Sequence, residues 1–249
     1  VTVQAADGQA RAFIYQPQEQ GRWPAIVLLM DAMGIRPTLQ DMARRLASAG
    51  YVVMLPDLYY RVGTYGPFTG ADVLTPGPKR DEIFKLYGSL KIEQVMSDLD
   101  KYLSFITGWK HSTGTKAGVV GYCMGGMFAT AAFGRLPARV GAAACIHGAG
   151  LATDSPDSPH LSFRQATGKL YVAVAEIDDY FPDDERQRLK AALTESGAAF
   201  EYEDYPGVHH GFAVEDVPVF DKQAAEHHWK RIVQLFDSTL KQAAAEVSS

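Results

Sequence analysis

With 249 residues, 47% of them apolar and 21% charged, the chain can bury a full core and fits one large α/β domain or two small ones. A net charge of −5 gives no reason to expect nucleic acid or an anionic membrane surface as a partner. No apolar run approaches the ~20 residues that span a bilayer, and no basic-then-apolar signal peptide opens the chain. Two cysteines, Cys123 and Cys145, are too few for a disulfide framework, so a reducing cytoplasm is the expectation.

In chain order, Val1–Val3 and Arg11–Tyr15 flank an Asp7-Gly8 turn and read as an edge hairpin. Ala25–Met30 is a continuous apolar run, the pattern of a strand covered on both faces. Thr38–Ala49 carries a helical stripe of Leu39, Met42, Ala43 and Leu46 that Gly50 stops, and Tyr51–Leu55 is the next buried strand. Arg61–Lys79 then breaks the rhythm with four glycines and three prolines, the composition of a functional loop or lid. Asp81–Ile106 reads as helix in two pieces broken near Gly88. Val140–Ile146 and Leu170–Ala175 read as buried strands on either side of a loop, Gly148–Gly168. Pro182–Ser196 is helical, with proline and aspartates in its first turn. Phe200–Tyr205 is a late strand, and Val217–Ala244 a long closing helix carrying Trp229, Ile232 and Leu235. Strands alternating with helices imply a mostly parallel sheet covered on both faces, a three-layer arrangement, and no linker divides residues 1–249 into two domains.

The chemistry concentrates at Lys116–Gly134. There a short apolar run meets Gly121-Tyr122-Cys123-Met124-Gly125-Gly126 and a small-residue helix follows. This is the strand, tight turn and helix of a nucleophile elbow, G-x-S-x-G, with cysteine in the serine's place. The nucleophile stands at the strained tip of such a turn, and glycines two residues to either side let strand and helix approach. The amide of Met124 would point into the site. The same string also suits a free cysteine packed in a core.

In open α/β sheets the working residues gather at the carboxyl ends of the strands. The residues that follow each strand here are Asp31-Ala32, Cys123, His147, Asp178-Asp179 and His209-His210. Nucleophile, acid, then histidine is the chain order of an α/β-hydrolase triad, and Cys123, Asp178 and His210 satisfy it. Asp179 remains open as the acid, and either Asp179 or Asp183 could be only a helix cap. Of His209 and His210, one faces the site at most. His147 reads as a pocket-lining or hydrogen-bonded residue rather than a base. No His and carboxylate positions have a metal-ligand spacing, and nothing implies a cofactor.

These residues resemble the dienelactone hydrolases (carboxymethylenebutenolidases) over about Trp23 to Phe212. The strongest parts are Pro56-Asp57-Leu58-Tyr59, the cysteine elbow, Asp178 with Pro182 four residues on, and His210-Gly211-Phe212. The resemblance implies an α/β-hydrolase fold with Asp178 as acid and His210 as base. It also implies an oxyanion hole made by the backbone amides of Ala32 and Met124, and a small ester or lactone as partner. Asp31 stands where the family has a glutamate that gates the thiol. Of the two arginines that grip a substrate carboxylate in the family, one matches Arg80 and the other falls on Val214, while a family tyrosine becomes Phe84. A carboxylate clamp so reduced favours less charged esters, unless Arg36 or Arg61 substitutes. Two other readings stay open: a glutamine amidotransferase-like amidase, which expects a His-x-Glu pair where this chain has His210-Gly211-Phe212, and a non-catalytic binding protein on the same fold.

Overall fold

Unbroken apolar runs need cover on both sides, and that requirement sets the architecture. A computed structural model describes residues 1–114 and 116–248, with side chains of the final helix described to residue 245. The strands are β1 (Thr2–Gln4), β2 (Gln9–Tyr15), β3 (Ala25–Leu29), β4 (Val52–Pro56), β5 (Ala117–Tyr122), β6 (Val140–Ile146), β7 (Lys169–Ile177) and β8 (Ala199–His209). They form one sheet in the order β1-β2-β4-β3-β5-β6-β7-β8. β1 and β2 are an antiparallel hairpin, β2 joins β4 antiparallel, and β3 to β8 all run parallel.

Every residue of β3, β4 and β5 is buried, so both faces of the central sheet are covered. Burial of Ile26, Val27, Leu28 and Leu29 in β3 contributes ~1.5–3 kcal/mol for each side chain, and a charge at any of them would break the strand. The cover consists of α1 (Pro37–Ser48), α2 (Pro78–Ser89), α3 (Ile92–Thr107), α4 (Met124–Arg135), α5 (Asp183–Ser196), α6 (Lys222–Phe236) and α7 (Gln242–Ser248). α1 buries the Leu39, Met42, Ala43 and Leu46 stripe, and Arg45 on it pairs with Glu226 of α6. α4, rich in small residues, is buried from Met124 to Gly134. No helix among the described residues is long and apolar enough to cross a membrane.

The boundaries that bear on the site differ from expectation at the ends of β7 and β8 and at the start of the closing helix. β7 and β8 run on to Ile177 and His209, because backbone pairing continues between Ile177 and His209 past the end of the apolar alternation. The closing helix starts at Lys222, not Val217, where Asp221 Oδ1 accepts from the Ala224 amide at 2.8 Å. Upstream of it, around Gly211 (φ 99°), a run of hydrogen-bonded turns links β8 to the helix. A five-residue π-helical segment, Asp237–Lys241, then separates α6 from α7.

Candidate active site

The elbow is built by sterics. β5 is buried to its last residue, and Cys123 follows at φ 53°, ψ −116° before α4 begins at Met124. Among the described residues only Cys123 and His147 combine a side chain with positive φ, a conformation that costs on the order of 1–3 kcal/mol. A β-carbon on Gly121 would lie 1.9 Å from the Gly125 carbonyl oxygen, and one on Gly125 would lie 2.5 Å from that of Leu29. Neither position tolerates a side chain, so the glycines are what allow β5 and α4 to hold Cys123 at the tip.

β7 and β8 bring in the next two groups. The His210 amide bonds the Ile177 carbonyl at 3.0 Å, fixing the two strand ends side by side. His210 Nδ1 then donates to Asp178 Oδ2 at 2.8 Å, and Asp178 Oδ1 accepts from the Tyr180 amide at 2.9 Å. The Asp178 carboxylate is 1% exposed, so it holds one orientation. Burial alone would lower the His210 pKa, but the adjacent Cys123 sulfur and the Asp178 hydrogen bond outweigh it and raise the value to about 10. Nε2 of His210 is buried and makes no hydrogen bond of good geometry among the described residues, although Cys123 lies close enough to act on its charge. Asp179 and His209 sit on the wall of the same cavity with exposed side chains and do not join this pair.

The loop after β3 carries Ala32 toward the elbow. Tyr59 Oη donates to the Ala32 carbonyl at 2.9 Å and lies 3.4 Å from Met124 Sδ, so one buried phenol braces both segments. Asp57 holds Tyr59 by accepting from its amide at 3.0 Å, and also accepts from Tyr65 Oη at 3.0 Å. Tyr65 in turn fills the space at Gly34, where a β-carbon would lie 2.4 Å from its ring.

Asp31 corrects an expectation. Its carboxylate is turned not onto the thiol but onto Arg36, with Nη1 at 2.7 Å and Nη2 at 2.9 Å, and it also accepts from the Met33 amide at 3.0 Å. Arg36 reaches on to Asp216, with Nε at 2.6 Å and Nη2 at 2.9 Å. Burial alone would lower the Arg36 pKa, but the two carboxylates outweigh it and raise it. A second correction concerns Arg80, which does not line the cavity: its guanidinium lies 5.4 Å above the Phe84 ring. Arg61 is likewise held by Asp98 and Asp7, so neither Arg36 nor Arg61 is free to bind a substrate anion.

His147 (φ 38°), Phe84 and Val214 do line the cavity with Cys123. His147 is buried against His210, ring centroids 5.1 Å apart, and neither ring nitrogen has a partner among the described residues. Burial, with His210 and His228 nearby, pushes its pKa well below the ordinary value. Behind it lies a residue the sequence reading missed: His228, wholly buried, 3.0 Å from Tyr122 Oη. Its signal was available, since positions 225, 228, 229 and 232 form one apolar face of α6. Among the described residues no cluster of His, Cys, Asp and Glu could hold a metal ion.

The parallel sheet, the cysteine at the strand-to-helix turn and the acid-histidine pair at the next strand ends define an α/β-hydrolase fold. A sequence profile of the dienelactone hydrolase family matches residues 10–240. A carboxymethylenebutenolidase of Rhodococcus opacus is 25% identical over 236 residues, covering 94% of this chain and 88% of that one. A candidate carboxymethylenebutenolidase of Synechocystis is 25% identical over 244 residues, 97% and 96% of the two chains. The crystal structure of a candidate dienelactone hydrolase from Klebsiella pneumoniae superposes with a TM-score of 0.83 at 22% identity, over 95% of this chain and 96% of that one. The chain belongs to the dienelactone hydrolase family and is a carboxymethylenebutenolidase-like hydrolase of lactone or ester bonds. The amidotransferase and binding-protein readings give way to that assignment.

Proposed function

We propose that Cys123 is the nucleophile of this hydrolase, with His210 as general base and Asp178 as the carboxylate that orients it. The supporting observation is the 2.8 Å bond between His210 Nδ1 and Asp178 at the mouth of the elbow that holds Cys123 in a strained conformation. His210, whose raised pKa keeps the ring protonated at neutral pH, holds the proton that Cys123 gives up when sulfur attacks the acyl carbon, and the carbonyl oxygen becomes an oxyanion. In this reading the backbone amides of Ala32 and Met124 bind that oxygen, and a donor of this kind is worth ~10²–10³ in rate. Collapse breaks the acyl C–O bond, and the imidazolium passes its proton to the leaving alkoxide, which remains tethered if the substrate is a lactone. Water then attacks the thioester, giving its proton to His210 and releasing the acid and the free thiol.

p-Nitrophenyl acetate tests this directly. The expected result is a burst of one nitrophenolate per chain with an acyl adduct on Cys123, absent in Cys123→Ala. Undiminished turnover by Cys123→Ala would refute the assignment.

A further inference from the structure

The mouth of the cavity in front of Cys123 is ringed by apolar side chains left in water. Leu74, Phe84, Ile177 and Tyr180 line the cavity and are 43%, 37%, 45% and 43% exposed. Elsewhere among the described residues the only large hydrophobics so exposed are Val1, Val62 and Leu161. Single exposed apolar residues are ordinary, but four around one opening form a patch. They come from the loop before α2, from α2 itself, from the end of β7 and from the turn after it, so no one local packing demand exposes them. The cavity within is small, about 250 Å³, against the ~300–1,000 Å³ of usual ligand sites. A ligand that fills it continues onto this rim.

Charge narrows the class further. No lysine or arginine lines the cavity. The acids on its wall are Asp31, neutralised by Arg36, and Asp179, which stands exposed with no cationic partner among the described residues. A substrate carboxylate placed away from the reacting carbonyl would lose water, find no lysine or arginine on the wall to pair with, and face Asp179.

We infer that the substrate is an uncharged ester or lactone bearing an extended apolar group, alkyl or aryl, that fills the cavity and runs out across the Leu74, Phe84, Ile177 and Tyr180 rim. The inference rests on the hydrolase reading of the same site. Each methylene laid on apolar surface should raise kcat/KM by roughly threefold to fourfold until the rim is covered. A terminal carboxylate in place of a methyl should lower it by about tenfold or more.

The test is kcat/KM for p-nitrophenyl acetate, butyrate and hexanoate, with mono-p-nitrophenyl adipate as the charged counterpart of the hexanoate. The expected order rises to hexanoate, with the adipate monoester at least tenfold below it. Leu74→Ser and Ile177→Ser should lower the hexanoate-to-acetate ratio, and Phe84→Arg, at an exposed position, should shrink the penalty on the adipate. An acyl-enzyme that forms on Cys123 without chain-length preference, or as readily from the adipate as from the hexanoate, overturns this inference and leaves the nucleophile assignment intact. Hydrolysis with no acyl adduct on Cys123 overturns the nucleophile assignment, while the order of the four esters still decides the substrate class.

Discussion

Arg36 ties three segments together, and removing it should be costly in a way that can be partly undone. Arg36→Met deletes two hydrogen bonds to Asp31 and two to Asp216. The two acids are not equivalent: Asp216 is 29% exposed and can turn to water, whereas Asp31 is 3% exposed and cannot. Breaking a buried pair by removing one partner costs ~3–5 kcal/mol, because the other is left uncompensated. At ~2–4 °C per kcal/mol for a chain of this size, thermal melting followed by circular dichroism should fall by roughly 6–20 °C. Arg36→Met with Asp31→Asn should recover most of that loss, since the stranded charge is gone. Turnover of p-nitrophenyl acetate should fall in kcat more than it rises in KM, because Asp31 also holds the Met33 amide beside Ala32. A single variant that melts within about 3 °C of wild type, or a double variant no more stable than the single, would refute the reasoning.

Iodoacetamide should label Cys123 first, with loss of activity, because Cys145 is buried and burial pushes its pKa up to about 12; prior labelling of Cys145 in active enzyme contradicts this. His210→Ala should lower kcat by ~10²–10⁴ and His209→Ala by little, and Asp178→Asn should be more damaging than Asp179→Asn; steady-state kinetics on the four variants decide. Tyr59→Phe, which frees the Ala32 carbonyl, should reduce kcat by roughly threefold to tenfold with the melting temperature nearly kept. Burial lowers the His228 pKa from 6.5 to about 3, so below pH 6.5 the unfolded chain binds a proton that the fold refuses. The stability this residue contributes is complete above about pH 6.5 and is lost as pH falls toward 3, by up to about 1.4 kcal/mol per pH unit. His228→Gln keeps an acceptor for Tyr122 Oη, and urea midpoints between about pH 6.5 and pH 4.5 should fall less steeply for it than for wild type.

The central strands and the elbow were legible because their causes are local. A strand covered on both faces must be apolar throughout, as Ala25–Leu29 is, and a turn as tight as the one at Cys123 must have glycine where β5 touches α4. The start of α6 was not legible, because Val217 and Val219 sit at positions that mimic a helical stripe while facing the cavity. The residues alone leave Asp178 and Asp179 both open, and only the family resemblance favours Asp178, because the contact that distinguishes them is with His210, 32 positions away. The Arg36–Asp216 pair spans 180 positions, so the sequence could suggest Arg36 as a free anion binder when the fold has already committed it. Arg80 differs from expectation for a similar reason: its residue type suits a carboxylate, but its place on α2 sets it over the ring of Phe84, outside the cavity lining.

The order in which the sheet recruits its strands also sets a timetable. Cys123 leaves the ribosome 87 residues before His210 and 55 before Asp178. At ~5–20 residues per second the thiol therefore exists for roughly 4–17 s before His210 has been made. For about the first half of that interval β7 has not been made, so β6, which supplies the carbonyl that receives the Cys123 amide, lacks its outer partner, and β8 is completed only at the interval's end. The sulfur that the finished enzyme will hold at a guarded strand end is, in the nascent chain, an unsheltered thiol open to oxidants and to mispairing with Cys145. Active yield should then depend on the redox state of the compartment during synthesis more than on that of the buffer afterwards.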